Sequence, residues 1–275
     1  MTPPVSGSFG EGSRPTPRGA ADFDWHPSAA GRIQRSSALA AVADHVFTSR
    51  DLTFQPATFD DDLARLGAAL GVSPSSIARV RQVHGRAIRT ISAGEPIGTE
   101  TALPAADAIV STDPSRVVAV QVADCVPILI ADRHHRVVAA VHAGWRGTCA
   151  GVAAAVVESI VEMGVEASDL VAALGPGIGP CCYQVDGRVR TAFLAMTPDA
   201  VSWFTEDGLE RWKLDLWRAN VEQLEGAGMT LAAIEVSGIC TADHLETCFS
   251  YRREGGGAGR MMAAIRLGPA LAART

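Results

Sequence analysis

Between Val117 and His142 lie two strongly apolar runs with a short polar break, and no other stretch restricts the fold as much. Val117-Val118-Ala119-Val120-Gln121-Val122 leads through Ala123-Asp124-Cys125 into Val126-Pro127-Ile128-Leu129-Ile130. Asp132 to Arg136 form a polar turn, and Val137-Val138-Ala139-Ala140-Val141-His142 follows. β-branched runs joined by about five residues predict an antiparallel hairpin. If Ala131 pairs near Val137, facing positions sum to about 268, which sets Cys125 opposite residue 142 or 143. Cys125 and His142 are then neighbours, and one residue of register decides whether they share a face.

Around this hairpin the pattern mixes strands and helices. Ala143-Gly144-Trp145-Arg146-Gly147-Thr148 turns into a helix reaching Met163, with Val152, Val156, Ile160 and Met163 as its stripe and Gly164 at its end. A helix over 61–70 starts behind Asp60, Asp61 and Asp62, which suit its positive end, shows Leu63, Leu66 and Leu70 on one face, and stops at Gly71. Further helices fit 187–196 and 216–225, the second capped by Asp215. Extended segments fit 78–84, 107–112, 169–174, 231–239 and 261–267. Hairpins interleaved with crossover helices predict an α/β protein with mixed β-sheets and flanking helices. Gly, Pro and Ser dominate residues 1 to about 31, which predicts a disordered tail ahead of a single domain over 32–275.

Charge and composition remove several function classes. A net charge of -6 lacks the basic footprint that nucleic acid requires. Lys213 is the one lysine among 24 basic residues, and it follows Arg211-Trp212 instead of a glycine-rich turn, so there is no P-loop. No apolar run approaches the roughly 18 residues of a membrane span. The six cysteines occur without a secretory leader pattern, which points to reduced thiols and a cytoplasmic setting. Gly175-Pro176-Gly177-Ile178-Gly179-Pro180 does not match a dinucleotide fingerprint and reads as a rigid turn after a strand.

In a reduced compartment a cysteine beside a histidine suggests metal binding or nucleophilic catalysis. Three protein ligands with one open position is the catalytic zinc pattern. His84, at the end of Arg79-Val80-Arg81-Gln82-Val83 and followed by Gly85, is the best candidate to join Cys125 and His142. Arg146, in a glycine-rich turn at a helix start, is a candidate phosphate ligand. Asp124 is the nearest carboxylate for proton transfer, although it points away if Cys125 faces the metal. Cys181 or Cys182 could supply a fourth zinc ligand or be buried structural thiols; Cys149, Cys240 and Cys248 have no visible partner. Arg252, Arg253 and Gly255 to Gly257 read either as a loop covering the site or as solvated surface.

Five segments occur in order: Gln82-Val83-His84-Gly85, Ala123-Asp124-Cys125-Val126-Pro127, His142-Ala143-Gly144-Trp145-Arg146-Gly147, Gly175 to Tyr183, and Phe249-Ser250-Tyr251-Arg252-Arg253-Glu254. Together they resemble the YfiH-type purine nucleoside phosphorylase family, formerly the laccase-domain or polyphenol oxidase family and in some bacteria the peptidoglycan editing factor. The resemblance spans about residues 40 to 268. It implies a layered YfiH-like sandwich and zinc ligands at His84, Cys125 and His142, which also make up the catalytic centre. It further implies phosphorolysis of adenosine, inosine or methylthioadenosine to base and ribose 1-phosphate, and deamination of adenosine to inosine. The family pattern Thr-x-Arg-x-Gly-Gly-x-Ser is kept here only in Thr48 and Arg50, since Asp51-Leu52-Thr53-Phe54 follows. Arg50 is thus the substrate-binding candidate of an altered loop.

Two other functions fit the residues. Cys125 assisted by His142 could be a Cys–His hydrolase acting on amides or peptidoglycan fragments. A non-enzymatic binding module would close its zinc with Cys181 or Cys182. A multicopper oxidase needs more imidazoles than the seven histidines present, several of which lie in the tail or turn.

Overall fold

The computed structural model describes residues 23–96 and 103–268. Among them, strands β1 (Phe23–Ser28), β2 (Gly31–Ser36), β3 (Ala43–Thr48), β4 (Ile77–Ala78), β7 (Val117–Val122) and β15 (Met261–Leu267) form one sheet in the order β1-β2-β3-β15-β7-β4. A second sheet holds β5 (Ile88–Ile91), β6 (Ala108–Ser111), β8 (Val126–Asp132), β9 (Val138–Ala143), β10 (Leu170–Leu174) and β14 (Ile234–Val236) in the order β14-β10-β8-β9-β6-β5. Each sheet is mixed: β4 runs parallel to β7, and β5–β6 and β10–β14 are parallel pairs among antiparallel ones. A small third sheet joins β11 (Gln184–Asp186), β12 (Phe204–Glu206) and β13 (Arg211–Leu214). The helices are α1 (Ser37–Ala40), α2 (Phe59–Leu70), α3 (Trp145–Cys149), α4 (Val152–Glu162), α5 (Gly187–Met196), α6 (Leu216–Gly226) and α7 (Tyr251–Glu254).

The strands are apolar on both faces because both faces are covered. Phe47, Val118, Val120 and Ile265 of the first sheet pack against Ile109, Leu129, Val138 and Val171 of the second. The alternate residues Val46, Ala119 and Ala264 meet Leu66 and Leu70 of α2, while Val126, Ile128, Ile130 and Val141 meet Val152, Val156 and Ile160 of α4 and Leu224 of α6. The result is a helix, sheet, sheet, helix sandwich, as the resemblance implies. No helix among the described residues is long and apolar enough to cross a membrane.

Three expectations are corrected. The supposed tail contains strand structure, because β1 pairs with β2 from Phe23↔Ser36 to Ser28↔Gly31 and Phe23 is buried against Phe47; alternate burial of Phe23 and Trp25 is masked in sequence by Pro27 and the glycines nearby, and residues 1–22 lie outside the described residues. The run 117–130 is not continuous in one sheet. It crosses from the first sheet to the second at Ala123–Cys125, where Asp124 adopts φ 83°. The expected turn before the helix to Met163 is itself helical as α3, which takes in Arg146 and is separated from α4 by Gly151 at φ 80°, and Met163 is exposed. Elsewhere the expected ends hold closely: α2 stops at left-handed Gly71, and Asp215 caps α6 by accepting from the Arg218 amide.

Candidate functional site

The site lies where the inward-facing rows of three neighbouring strands run out at one end of the sandwich. In β9, His142 continues the row of Val138 and Ala140 that faces the first sheet. Pro127 of β8 pairs with it, and Cys125 comes two residues earlier on the alternating pattern. On the other side of β9, Ala108 pairs with Val141, so Asp107 stands beside His142. The β8–β9 register closes at Ala131↔Val138, one residue beyond the expected pairing, because the Asp132–Val137 turn holds one more residue. Cys125 therefore falls level with Gly144 instead of residue 142 or 143. The expected proximity survives the correction: His84, Cys125 and His142 each offer a ligand atom, all within 4.8 Å of one another.

His84 reaches the group from the loop before β5. It adopts φ 60°, and its ring stands edge-on to His142 with centroids 4.9 Å apart. Asp107, fully buried, maintains this strained loop. Its Oδ1 accepts from the His84 amide at 2.9 Å and from His142 Nδ1 at 2.9 Å, and its Oδ2 accepts from the Gly85 amide at 2.6 Å. Burial alone would raise the Asp107 pKa, but the His142 imidazole and the Gly85 and His84 amides hold it below the usual carboxylate range. With Nδ1–H donated to Asp107, Nε2 is the His142 atom left to ligate, the carboxylate–histidine arrangement that orients metal ligands. Sequence reading missed Asp107; an acidic residue opening an apolar strand was its signal.

Electrostatics favour a charged thiol. Burial pushes Cys125 up, yet His142 and His84 beside it bring its pKa down to about 6, and the same thiolate with Asp107 raises His142 to about 9 against its own burial. Gly144 makes the close approach possible, since a Cβ there would stand 2.8 Å from Cys125 Sγ and 3.2 Å from His84 Cδ2. Two imidazoles and a thiolate form a borderline-soft donor set that fits zinc with one position left for a reactant. The other histidines lie apart, His26 in β1, His45 in β3, His134 and His135 in the β8–β9 turn, and His244 against the Cys240 carbonyl.

The remaining candidates take distinct places. Arg146 is the second residue of α3, exposed, stacked 4.4 Å from the Trp145 ring, and free of ion pairs among the described residues. Arg50 is occupied: its guanidinium donates to the Leu245 carbonyl and to Glu254 and stacks 4.6 Å from Phe249. Leu52 and Thr53 stand where the family glycines would; Leu52 and Phe54 enter the core against α2, and Asp62 accepts from the Thr53 and Phe54 amides. Asp124 does not face the metal group, because its two oxygens accept from Thr241 Oγ1 and the Arg252 amide, each at 2.6 Å. It anchors the α7 segment, where Arg252 lies over Tyr183 at 5.2 Å. Burial pushes the Tyr183 hydroxyl up, and the Cys125 charge adds to that shift. Cys181 and Cys182 group with Cys240, not with Cys125.

The chain is similar to known proteins over most of its length. A family model described as "Multi-copper polyphenol oxidoreductase laccase" matches residues 40–268. The chain is 38% identical over 218 residues to the "Purine nucleoside phosphorylase" of Deinococcus radiodurans, covering 79% of this chain and 80% of that one. It is 37% identical over 199 residues to "Purine nucleoside phosphorylase YfiH" of Escherichia coli K12, covering 72% and 77%. YlmD from Geobacillus stearothermophilus superposes with a TM-score of 0.80 at 29% identity, over 86% of this chain and 96% of that one. Bacillus licheniformis YfiH gives 0.80 at 28% identity, over 88% and 97%. Sequence and fold together make this chain a member of the laccase-domain family of YfiH and YlmD proteins, a family of enzymes.

Proposed function

We propose that the chain is a zinc-dependent purine nucleoside phosphorylase that also deaminates adenosine. The observation that carries the reading is the group of His84, Cys125 and His142 oriented by Asp107, in a chain whose relatives are named purine nucleoside phosphorylases. Zinc held there would supply Lewis acidity and a means of activating an oxygen nucleophile near neutral pH. Asp107 takes the Nδ1–H of His142, so that Nε2 is the atom left to bind the metal once its own proton is displaced. Arg146 binds phosphate for attack on the ribose C1′, a role supported by its exposed guanidinium four residues from His142. Arg50 contributes to nucleoside binding through the 245–254 loop that it ties down. The substrates are adenosine, inosine and methylthioadenosine with phosphate, in the cytoplasm.

Metal analysis and adenosine assays at varied phosphate test this. One zinc per chain is expected, lost in His84→Ala, Cys125→Ala and His142→Ala with far-ultraviolet circular dichroism retained. Unchanged zinc in all three overturns the ligand assignment. Arg146→Ala should raise the phosphate needed for base release by at least about tenfold, the equivalent of one charge-assisted bond, with inosine formation much less affected. Equal loss of both activities removes Arg146 from phosphate binding. The pairing of a thiol near 6 with an imidazole near 9 favours a second reading, a Cys–His hydrolase, which predicts activity that survives chelator and is lost on alkylation.

A further inference from the structure

Cys181, Cys182 and Cys240 offer three sulfur ligand atoms within 4.8 Å of one another, and among the described residues no imidazole or carboxylate joins them. Distant segments build the group. The turn after β10 and the strand-like Ile239–Thr241 segment are locked together by a Gly177↔Cys240 bridge, with Gly177 donating to the Ile239 carbonyl at 3.2 Å and Thr241 donating to that of Gly177 at 3.1 Å. Gly179 lets the turn press onto Cys240, because a Cβ there would sit 3.3 Å from the Cys240 Cβ and 2.7 Å from Trp217. This holds the sulfurs in place before any ligand arrives.

Burial and the crowding of Cys240 and Cys182 push the Cys181 thiol up to about 12, so the sulfurs give up their protons only to an arriving cation, and two donors stand ready for the charge that results. The Gly179 amide donates to Cys240 Sγ at 3.3 Å, and Arg253 Nη2 faces Cys182 Sγ at 3.9 Å. Cys240 is buried and Cys181 exposed, so one side of the group is open to solvent and the other is dry. Three sulfurs around a trigonal ion at a metal–sulfur distance of about 2.3 Å stand about 4.0 Å apart, so the observed spread closes with shifts below about 1 Å. A purely thiolate set selects soft ions. Zinc would still need a fourth ligand, whereas three thiolates complete the shell of a trigonal monovalent d10 ion.

We propose that Cys181, Cys182 and Cys240 form a second metal site, separate from the His84, Cys125 and His142 group, that binds Cu(I) through three thiolates. The three thiol protons pass to solvent as the ion binds, with no change in oxidation state, and Arg253 offsets part of the net negative charge. The proposal does not depend on the phosphorolytic reading.

Anaerobic titration of the reduced, zinc-loaded full-length protein with Cu(I) against a chromophoric Cu(I) chelator tests it. The wild type is expected to take one equivalent, with thiolate-to-metal charge-transfer absorption, and Cys181→Ser or Cys240→Ser should weaken uptake by at least about tenfold. Cys181 is exposed, so its variant should keep the wild-type melting curve and zinc content even if Cys240→Ser misfolds. His142→Ala should bind Cu(I) as the wild type does. The proposal fails if Cys181→Ser binds Cu(I) equally well, if His142→Ala loses uptake while Cys181→Ser keeps it, if zinc but not Cu(I) occupies these thiols, or if the thiols pair as a disulfide whose reduced form takes no ion.

Discussion

Replacing Asp107 with Asn changes one atom of the site and removes the acceptor symmetry on which the Val83–Gly85 loop and His142 of β9 depend. In one orientation the Asn carbonyl keeps the His142 Nδ1–H and the His84 amide, and its NH2 then confronts the Gly85 amide that Oδ2 accepts at 2.6 Å, together with the Val83 amide at 3.3 Å. One or two part-buried donors lose their acceptor, at about 1–3 kcal/mol each. In the flipped orientation the NH2 faces His142 Nδ1 and drives the ring proton to Nε2, the nitrogen needed as a ligand. The first outcome lowers stability, and at about 2–4 °C per kcal/mol for a chain of this size it lowers Tm by at least roughly 2–4 °C. The second lowers metal affinity, and loss of such an orienting partner typically costs about 10- to 100-fold, or about 1.4–2.7 kcal/mol. Competition of wild type and Asp107→Asn for zinc against a fluorescent chelator, paired with thermal melts of the metal-free forms, measures both. A variant with zinc affinity within about twofold and an unchanged melt would refute the orienting role of this carboxylate.

In chelator-stripped protein, alkylation of Cys125 should stay on its plateau as pH falls until it passes through about 6, because a lowered thiol pKa keeps the thiolate at lower pH; His142→Ala should move that midpoint up toward the ordinary thiol range, and identical midpoints would sink the pairing. Truncation through residue 31 strips β1 from the first sheet and exposes the contact of Phe23 with Phe47, 6.0 Å between ring centroids. Burial of a Phe at about 1.5–3 kcal/mol then predicts a Tm lower by roughly 3–12 °C, and an unchanged melting curve would show the hairpin to be energetically idle.

Local signals were legible wherever one residue type can do one job. Gly71 ends α2 because its left-handed φ of 66° carries no Cβ penalty, and Asp215 starts α6 because its carboxylate can take the Arg218 amide. The β15 boundaries, 261–267, also follow from composition alone. Sheet membership was not legible. Val117–Val122 and Val126–Asp132 are apolar on both faces, so their pattern carries no mark of the change of sheet at Asp124. Likewise β1 hides among prolines, since its burial pattern shows only once β2 and β3 lie beside it.

The site divides along the same line. From the chain alone came the donor chemistry: a thiol and imidazoles in a reduced setting, the hairpin that brings Cys125 near His142, and His84 as the best candidate to join them, a choice that the resemblance also implies. Tertiary structure alone decided that the register is one step longer, that Asp107 orients His142, that Asp124 and Arg50 serve the 245–254 segment, and that Cys181 and Cys182 meet Cys240. The physical reason is range. Caps, turns and periodicity act over a few residues, whereas a carboxylate 35 residues from its histidine, or one 128 residues from the amide that it holds, gains a partner only when strand pairing sets the separation in space.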